Sequence, residues 1–453
     1  MALEEATRRV EVVRGGAWNA EVVERDLGVR PLPVRVLDSP VLLVDGRVEP
    51  DATDWLREKH IRGRTTADTY AAALALFVEF FVERKTTLRA ARRTDVIDYV
   101  NRRTVDDDTR VSGSTFSKDR TVIKGFYEWL QVTHHVPLPI TIDVLPSQHG
   151  VVTSMREGRG VPKATSDGTP LEPPQVEELV AAAWRLDSAG RTISDHEVGP
   201  RDAAFIQLGL ACGGRADTLA HLLTYELPDL AGAGDLTEMR LPAATAKTKR
   251  EVRLPAFTHR LKPVLDYANP DWGARRALLK GWTPKDPIVV ADVQTHGRFR
   301  GIVDDRGRHL PFYSLTAEQR RRVVTPEGEP AMLFLAATSG GPLAYNSARA
   351  ITGDVAQLAI ARAAERGEFF PYVHTHDLRH TYATHLAALF YLGVVTGTGL
   401  DMHGRPNRVD VESAVKMAAA GLGHLRESTT MLYIQQVGMM ALRYSVNDFL
   451  GRR

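Results

Sequence analysis

A polar stretch, GVVTSMREGRGVPKATSDGTPLEPP, divides the 453 residues into two regions, each patterned to bury an apolar core. Gly, Pro, Ser and charged residues dominate it, so it reads as an interdomain linker over residues 149–172. A chain of this length also exceeds what one compact core usually serves. The first expectation is therefore a domain over residues 51–148 and a second over residues 173–453, preceded by an N-terminal arm over residues 1–50. In that arm short Val- and Leu-rich stretches alternate with Pro and Gly, which suggests an extended segment with a short strand or two.

The first region is helical in pattern. In TYAAALALFVEFFVERK, residues Tyr70, Leu74, Phe77, Phe80 and Phe81 recur at spacings of three and four and make one apolar face. A second helix is expected from Lys118 to Gln131, with Val122, Ile123, Phe126, Tyr127 and Leu130 inward. Lys118, Arg120 and Lys124 flank that stripe. Taken alone, they describe only a small helical domain with a solvated charged face.

The second region opens with VEELVAAAW, followed by AAFIQLGLAC, a nearly uniform apolar run expected to be a buried helix ending at Gly213-Gly214. EMRLPAATAKTKREVRLPAF suggests two short strands joined by a basic turn, and LRHTYATHLAALFYL another apolar helix. The tail from Val437 to Phe449 carries an apolar pattern expected to dock onto a neighbouring subunit.

Composition excludes more than it assigns. A net charge of +2 permits nucleic-acid binding without arguing for it. Cys212 is the single cysteine, which rules out an intramolecular disulfide or a cysteine-based zinc site and suits a reducing cytoplasm. The opening MALEEATRRVEVVRGG lacks the apolar core of a signal peptide, and no apolar run is long enough for a membrane span.

Chemistry concentrates in the second region. Arg215 follows a glycine pair that can turn the chain sharply. Lys247 and Lys249 sit at the hairpin-like turn of AKTKREVRLP. In HTHDLRHTYATH, His376 and Arg379 are one helical turn apart, so an imidazole and a phosphate-binding guanidinium can share a side. His424 and Tyr433 lie nine residues apart in GLGHLRESTTMLYIQQ. Each has an ordinary reading on its own: a surface arginine, a solubilising turn, a core tyrosine. His374, His376, His380 and His385 raise the question of zinc, but there is no HExxH and no supporting cysteine. GTGLDMHG falls short of a dinucleotide-binding pattern.

Together the order Arg, Lys, His-x-x-Arg, His, Tyr resembles the tyrosine recombinase (phage integrase) family. The matching words are ACGGRADTLAHLL, AKTKREVRLP, HTHDLRHTYATH and GLGHLRESTTMLYI, in order over about 220 residues. The family usually carries Glu three residues after the first Arg, where this chain has Thr218. Lys247 to His376 spans 129 residues and Arg379 to His424 spans 45, so insertions are expected near residues 282–343 and 393–411. They leave Lys249 open as the alternative to Lys247.

The resemblance implies a mainly α protein with a small β-sheet in the catalytic domain. It implies a two-domain DNA clamp, a SAM-like helical core-binding domain plus an integrase-type catalytic domain. Tyr433 would attack a DNA phosphodiester to give a 3′-phosphotyrosine. Arg215, Arg379 and His424 would stabilise the phosphate, His376 would accept the phenol proton, and Lys247 would protonate the leaving oxygen. Lys118, Arg120, Lys124 and Lys249 would be candidate DNA contacts. No cofactor or metal is implied, since guanidiniums carry the charge work. The implied partners are double-stranded DNA at specific sites, a homo-tetramer on DNA and an accessory directionality or bending protein, in the cytoplasm at the nucleoid. A type IB topoisomerase, a telomere resolvase or a noncatalytic DNA-binding protein of the same fold would share much of this sequence pattern.

Overall fold

The computed structural model describes residues 9–14, 38–62, 64–147, 150–162, 168, 170–187, 191, 196–246, 249–295, 300–392, 413–416 and 436–452. The chain folds as two compact units, residues 1–166 and 167–453.

Unit 1 is built on four helices, α1 (Pro50–Arg62), α2 (Arg64–Glu83), α3 (Arg93–Thr104) and α4 (Gly113–His134). The apolar face expected on α2 is inward: Leu74, Phe77, Phe80 and Phe81 are buried. Phe77 lies edge-on to Tyr99 of α3 and Tyr127 of α4. Helix α4 is longer than its apolar stripe indicated, because Ser112 caps it by accepting the Thr115 N–H at 3.2 Å.

The arm carries short strands, as its pattern suggested, while the reading of the linker is corrected. Residues of the arm form β1 (Val10–Arg14), β2 (Pro40–Val44) and β3 (Arg47–Val48), one antiparallel sheet. Val10 and Leu42 enter the same core as α1 to α4. The start of the supposed linker is likewise structured: β5 (Gly150–Met155) pairs antiparallel with β4 (Ile142–Ser147), and Met155 is buried. At its other end Leu171 is buried in the core of unit 2.

Unit 2 is centred on α6 (Gly199–Cys212), which is buried at every residue from Asp202 to Cys212. Around it pack α5 (Pro173–Ala183), α8 (Thr258–Ala268), α10 (Tyr345–Glu365) and α11 (Thr375–Tyr391). A short helix, α7 (Ala216–Ala220), follows the glycine pair, and β6 (Leu236–Leu241) and β7 (Val252–Phe257) form the expected hairpin. The segment expected as an insertion near residues 282–343 holds β8 (Ile288–Gln294), β9 (Gly301–Asp304), β10 (His309–Pro311), α9 (Ala317–Arg321) and β11 (Val323–Val324). Its strands make a four-stranded sheet in the order β10-β9-β8-β11, over a small core of Ile288, Ile302, Phe312 and Met332. The second expected insertion, residues 393–411, lies outside the described residues.

The tail packs on its own unit. Val437, Met440, Phe449 and Leu450 are buried in the unit 2 core, and Tyr444 Oη donates to Glu172 at 2.6 Å. Met439 and Leu442 of the same tail are exposed, so the expected docking onto a neighbour concerns these two residues and not the buried four. Among the described residues no helix is long and apolar enough to cross a membrane.

Candidate active site

The site begins where α6 ends. Gly213 closes that helix with φ of +59°, its N–H donating to the Gly209 carbonyl at 2.8 Å. A side chain there is doubly opposed, because an added Cβ would lie 2.3 Å from the Tyr382 ring. The chain then reverses through Gly214 and leaves Arg215, half-buried, at the N-cap of α7.

Arg379 reaches the same turn from α11. It is 3% exposed, and its Nη1 donates to the Gly213 carbonyl at 2.6 Å. Two arginines 164 positions apart thus meet at one glycine turn. Helix α11 can come this close because Gly209 on α6 offers no side chain: an added Cβ would lie 2.8 Å from Leu378.

His376 is on the first turn of α11 and is exposed, while Arg379 one turn on is buried. The His376 ring stands edge-on to His380, centroids 4.7 Å apart. The helix is anchored below: Tyr382 Oη donates to the Pro255 carbonyl of β7, and the Leu171 N–H donates to Thr381 Oγ1 at 3.0 Å. Burial raises the Tyr382 phenol far above its ordinary value, so this tyrosine beside Arg379 is a structural post and not a nucleophile. Burial also pushes the Cys212 thiol up to about 12, which makes it inert.

Thr218 occupies the position where a Glu was expected. Its hydroxyl donates to the Thr245 carbonyl at 3.2 Å, both residues being buried. This bond ties α7 to the turn that leads into Lys247. Lys247, His424 and Tyr433 lie outside the described residues. Lys249 is exposed with φ of +53°, and its Nζ donates to the Ala244 carbonyl at 2.9 Å, closing the same turn. Nothing in the sequence pattern pointed to the Thr218–Thr245 bond, since its two ends are ordinary threonines 27 positions apart.

The four histidines weighed for zinc do not converge. His374 and His376 are exposed, whereas His385 is buried against the Leu171 carbonyl at 2.9 Å. Burial and then the neighbouring Arg260 lower His385 to about 3, so it stays neutral. Among the described residues no His, Cys, Asp or Glu cluster is placed to hold a metal ion.

Unit 1 carries a separate groove of about 380 Å³, lined by Trp55, Lys59, Tyr70, Arg120 and Lys124. Lys59 Nζ lies 5.1 Å from the Trp55 ring centre, and Trp55 stacks on Tyr70. Of the candidate DNA contacts here, Lys118 is exposed and Lys124 pairs with Glu128 at 2.8 Å. Arg120 lines the same groove and is also tied into the fold. Its guanidinium donates to Ser154 Oγ at 2.8 Å and to the Met155 and Gly158 carbonyls at 2.6 and 3.4 Å.

A mainly helical chain with a helical first unit and paired arginines in the second has clear relatives. Residues 54–133 match the phage integrase N-terminal SAM-like domain. The tyrosine recombinase XerD of Ralstonia nicotianae (strain ATCC BAA-1114 / GMI1000) is 29% identical over 173 residues. That match covers 38% of this chain and 47% of the relative, so it spans about half of that protein's length. Both matches are to tyrosine recombinase (phage integrase) proteins, one over residues 54–133 and the other over 38% of this chain. Among solved structures, the XerH site-specific recombinase bound to palindromic difH substrate has a TM-score of 0.49 at 12% identity, covering 86% of this chain and 82% of that one. The Tn1549 transposon integrase with circular intermediate DNA has a TM-score of 0.45 at 14% identity, covering 84% and 94%. Both structural likenesses are loose.

Proposed function

We propose that this chain is a site-specific DNA recombinase of the integration and excision type, which cuts and rejoins DNA through a 3′-phosphotyrosine at Tyr433. The observation that carries the reading is the Arg379–Gly213 bond, which holds one guanidinium against the turn that presents the other. A phosphodiester repels nucleophiles and has a poor alkoxide leaving group. Two fixed guanidiniums answer the first difficulty by stabilising the extra charge of the transition state, each such donor being worth roughly 10²–10³ in rate. His424 adds a hydrogen bond to the same phosphate.

Tyrosine ionises near pH 10, so its proton needs an acceptor, and exposed His376 fills that role. Lys247 answers the second difficulty by protonating the leaving 5′-oxygen; its sequence neighbours Thr245 and Lys249 are hydrogen-bonded to Thr218 and Ala244. The phosphotyrosine keeps the energy of the broken bond, so a 5′-hydroxyl from another duplex can reverse the step without ATP. Exchange between two duplexes calls for four such cleavages. Hence we assign a homo-tetramer on specific double-stranded sites, an accessory directionality or bending protein, and a cytoplasmic, nucleoid-associated setting.

The test is covalent trapping on nicked duplexes taken from the sequence flanking the gene. The parent should give a protein–DNA adduct stable to denaturant, and Tyr433→Phe should give none while still binding the duplex. An adduct persisting in Tyr433→Phe, or a parent that binds but never links, would overturn the assignment.

A further inference from the structure

Near Thr245, Arg240, Arg253, Arg300, Tyr313, Glu226 and Glu251 are among the residues lining a cleft of about 200 Å³ between the β6–β7 hairpin and the inserted segment. Its charge arrangement is unusual for a hairpin. Arg240 and Arg253 are direct cross-strand partners, and like charges in that register destabilise a strand pair. A third guanidinium, Arg300, is added from the inserted segment. Burial, and then the nearness of Arg240, lower the proton affinity of Arg300.

The acids nearby do not fully offset these charges. Glu226 is taken by Arg320, which donates to its two oxygens at 2.5 and 3.0 Å. Glu238 accepts from Arg240 at 2.5 Å, and Glu251 stands 3.6 Å from Arg253. Arg300 uses Nε on the Thr295 carbonyl at 2.8 Å, and its two Nη groups have no hydrogen-bond partner among the described residues. A fold that keeps an opposed arginine pair and brings in a third has a local conflict that an anion would relieve.

We propose that Arg240, Arg253 and Arg300 form a second phosphate site, where the inserted segment grips the DNA backbone next to the scissile position. This rests on the recombinase reading above. The cleft is joined to the site by two hydrogen bonds. The Ala244 N–H donates to the Tyr313 carbonyl at 2.9 Å, and Thr245, one residue on, accepts from Thr218 of α7. A duplex whose reacting phosphate lies at Arg215 presents further phosphates at intervals of about 3.4 Å along each strand. Guanidiniums bind such oxygens in fork geometry, and an open polar cleft suits a backbone better than a base. The insertion thereby acquires a task, adding a grip on DNA outside the reacting centre.

The experiment measures binding of the full chain to a fluorescein-labelled duplex of about 40 base pairs at roughly 50–200 mM salt. Arg300→Gln should weaken binding about 10-fold at the lowest salt and make the log–log salt slope shallower by about 0.9. Arg253→Thr should do the same. It should also raise the melting temperature of the free protein by roughly 1–2 °C, because it relieves the opposed pair. Arg306→Gln removes an exposed charge from the same insertion outside the cleft and should leave the slope unchanged. Parent-like slopes in Arg300→Gln and Arg253→Thr would overturn the proposal, as would an equal loss in Arg306→Gln, which would mean net charge alone. If poly-glutamate binding rather than duplex binding were lost in Arg300→Gln, the cleft would belong to an acidic protein and the proposal would fall. Covalent trapping that survives beside unchanged slopes would sink this inference alone. A parent that binds no DNA would sink both.

Discussion

Replacing Arg320 with Met should unfold the inserted sheet from its support. Arg320 is wholly buried and donates to Glu226, to the Phe312 and Leu315 carbonyls at 2.5 and 2.9 Å, and to the His221 carbonyl at 3.1 Å. Met fills similar volume but strands a buried carboxylate and orphans three carbonyls. Breaking one side of a buried ion pair costs about 3–5 kcal/mol, and the stranded carbonyls favour the upper part of that range. At roughly 2–4 °C per kcal/mol, the upper part of that range lowers the melting temperature by about 8–20 °C. Adding Glu226→Gln removes the stranded charge and keeps an oxygen for the Leu223 N–H, which Glu226 accepts at 2.9 Å. The double variant should recover at least about 1.5 kcal/mol of the loss in a urea double-mutant cycle. A single variant costing under about 1 kcal/mol, or a double variant with no recovery, would refute the view that charge pairing rather than packing holds this joint.

Gly213→Ala should cost roughly 2–4 kcal/mol by urea unfolding, since it places a Cβ at positive φ and against the Tyr382 ring. It should also abolish adduct formation if the turn sets Arg379. Glu49 makes the stability of unit 1 fall as pH rises. Burial lifts its carboxyl from 4.5 to about 7, against the opposing Ala52 N–H, so its contribution is full below about 4.5 and is lost as pH passes 7. Urea unfolding from pH 5 to 8 should show a decline of at most about 1.4 kcal/mol per pH unit that Glu49→Gln flattens, and an unaltered slope in that variant would refute the assignment.

What could be read in advance follows how locally each feature is determined. The inward faces of α2 and α4 repeat at the helical period, and α6 is nearly uniformly apolar from Ala203 to Cys212, so each declared itself within its own residues. β5 did not: GVVTSM reads as polar and Gly-bearing until β4 is laid beside it. In the arm the short strands were legible but their pairing was not, because Val10 pairs with Val44 across a gap no window spans. The inserted sheet escaped notice because β10 and β11 are three and two residues long and mean little without β8 and β9.

The same distinction separates the arginines. Arg215 and Arg379 were legible because each stands in a patterned neighbourhood, a glycine pair in one case and a His-x-x-Arg turn in the other. Their meeting at the Gly213 carbonyl was not, since it needs α11 to lie on α6 at Gly209. Arg120, Arg320 and Arg300 look alike as residues among mixed charge. One is bound to carbonyls of β5 and the following turn, one to a buried carboxylate, and one faces an opposed arginine pair. A guanidinium satisfied by the fold holds structure together, whereas one with donors left over can bind a ligand. That difference is set by what lies across from it. It follows that the second phosphate site should depend on the inserted sheet staying docked: Arg320→Met should reproduce the shallower salt slope of Arg300→Gln even at temperatures where the rest of unit 2 remains folded.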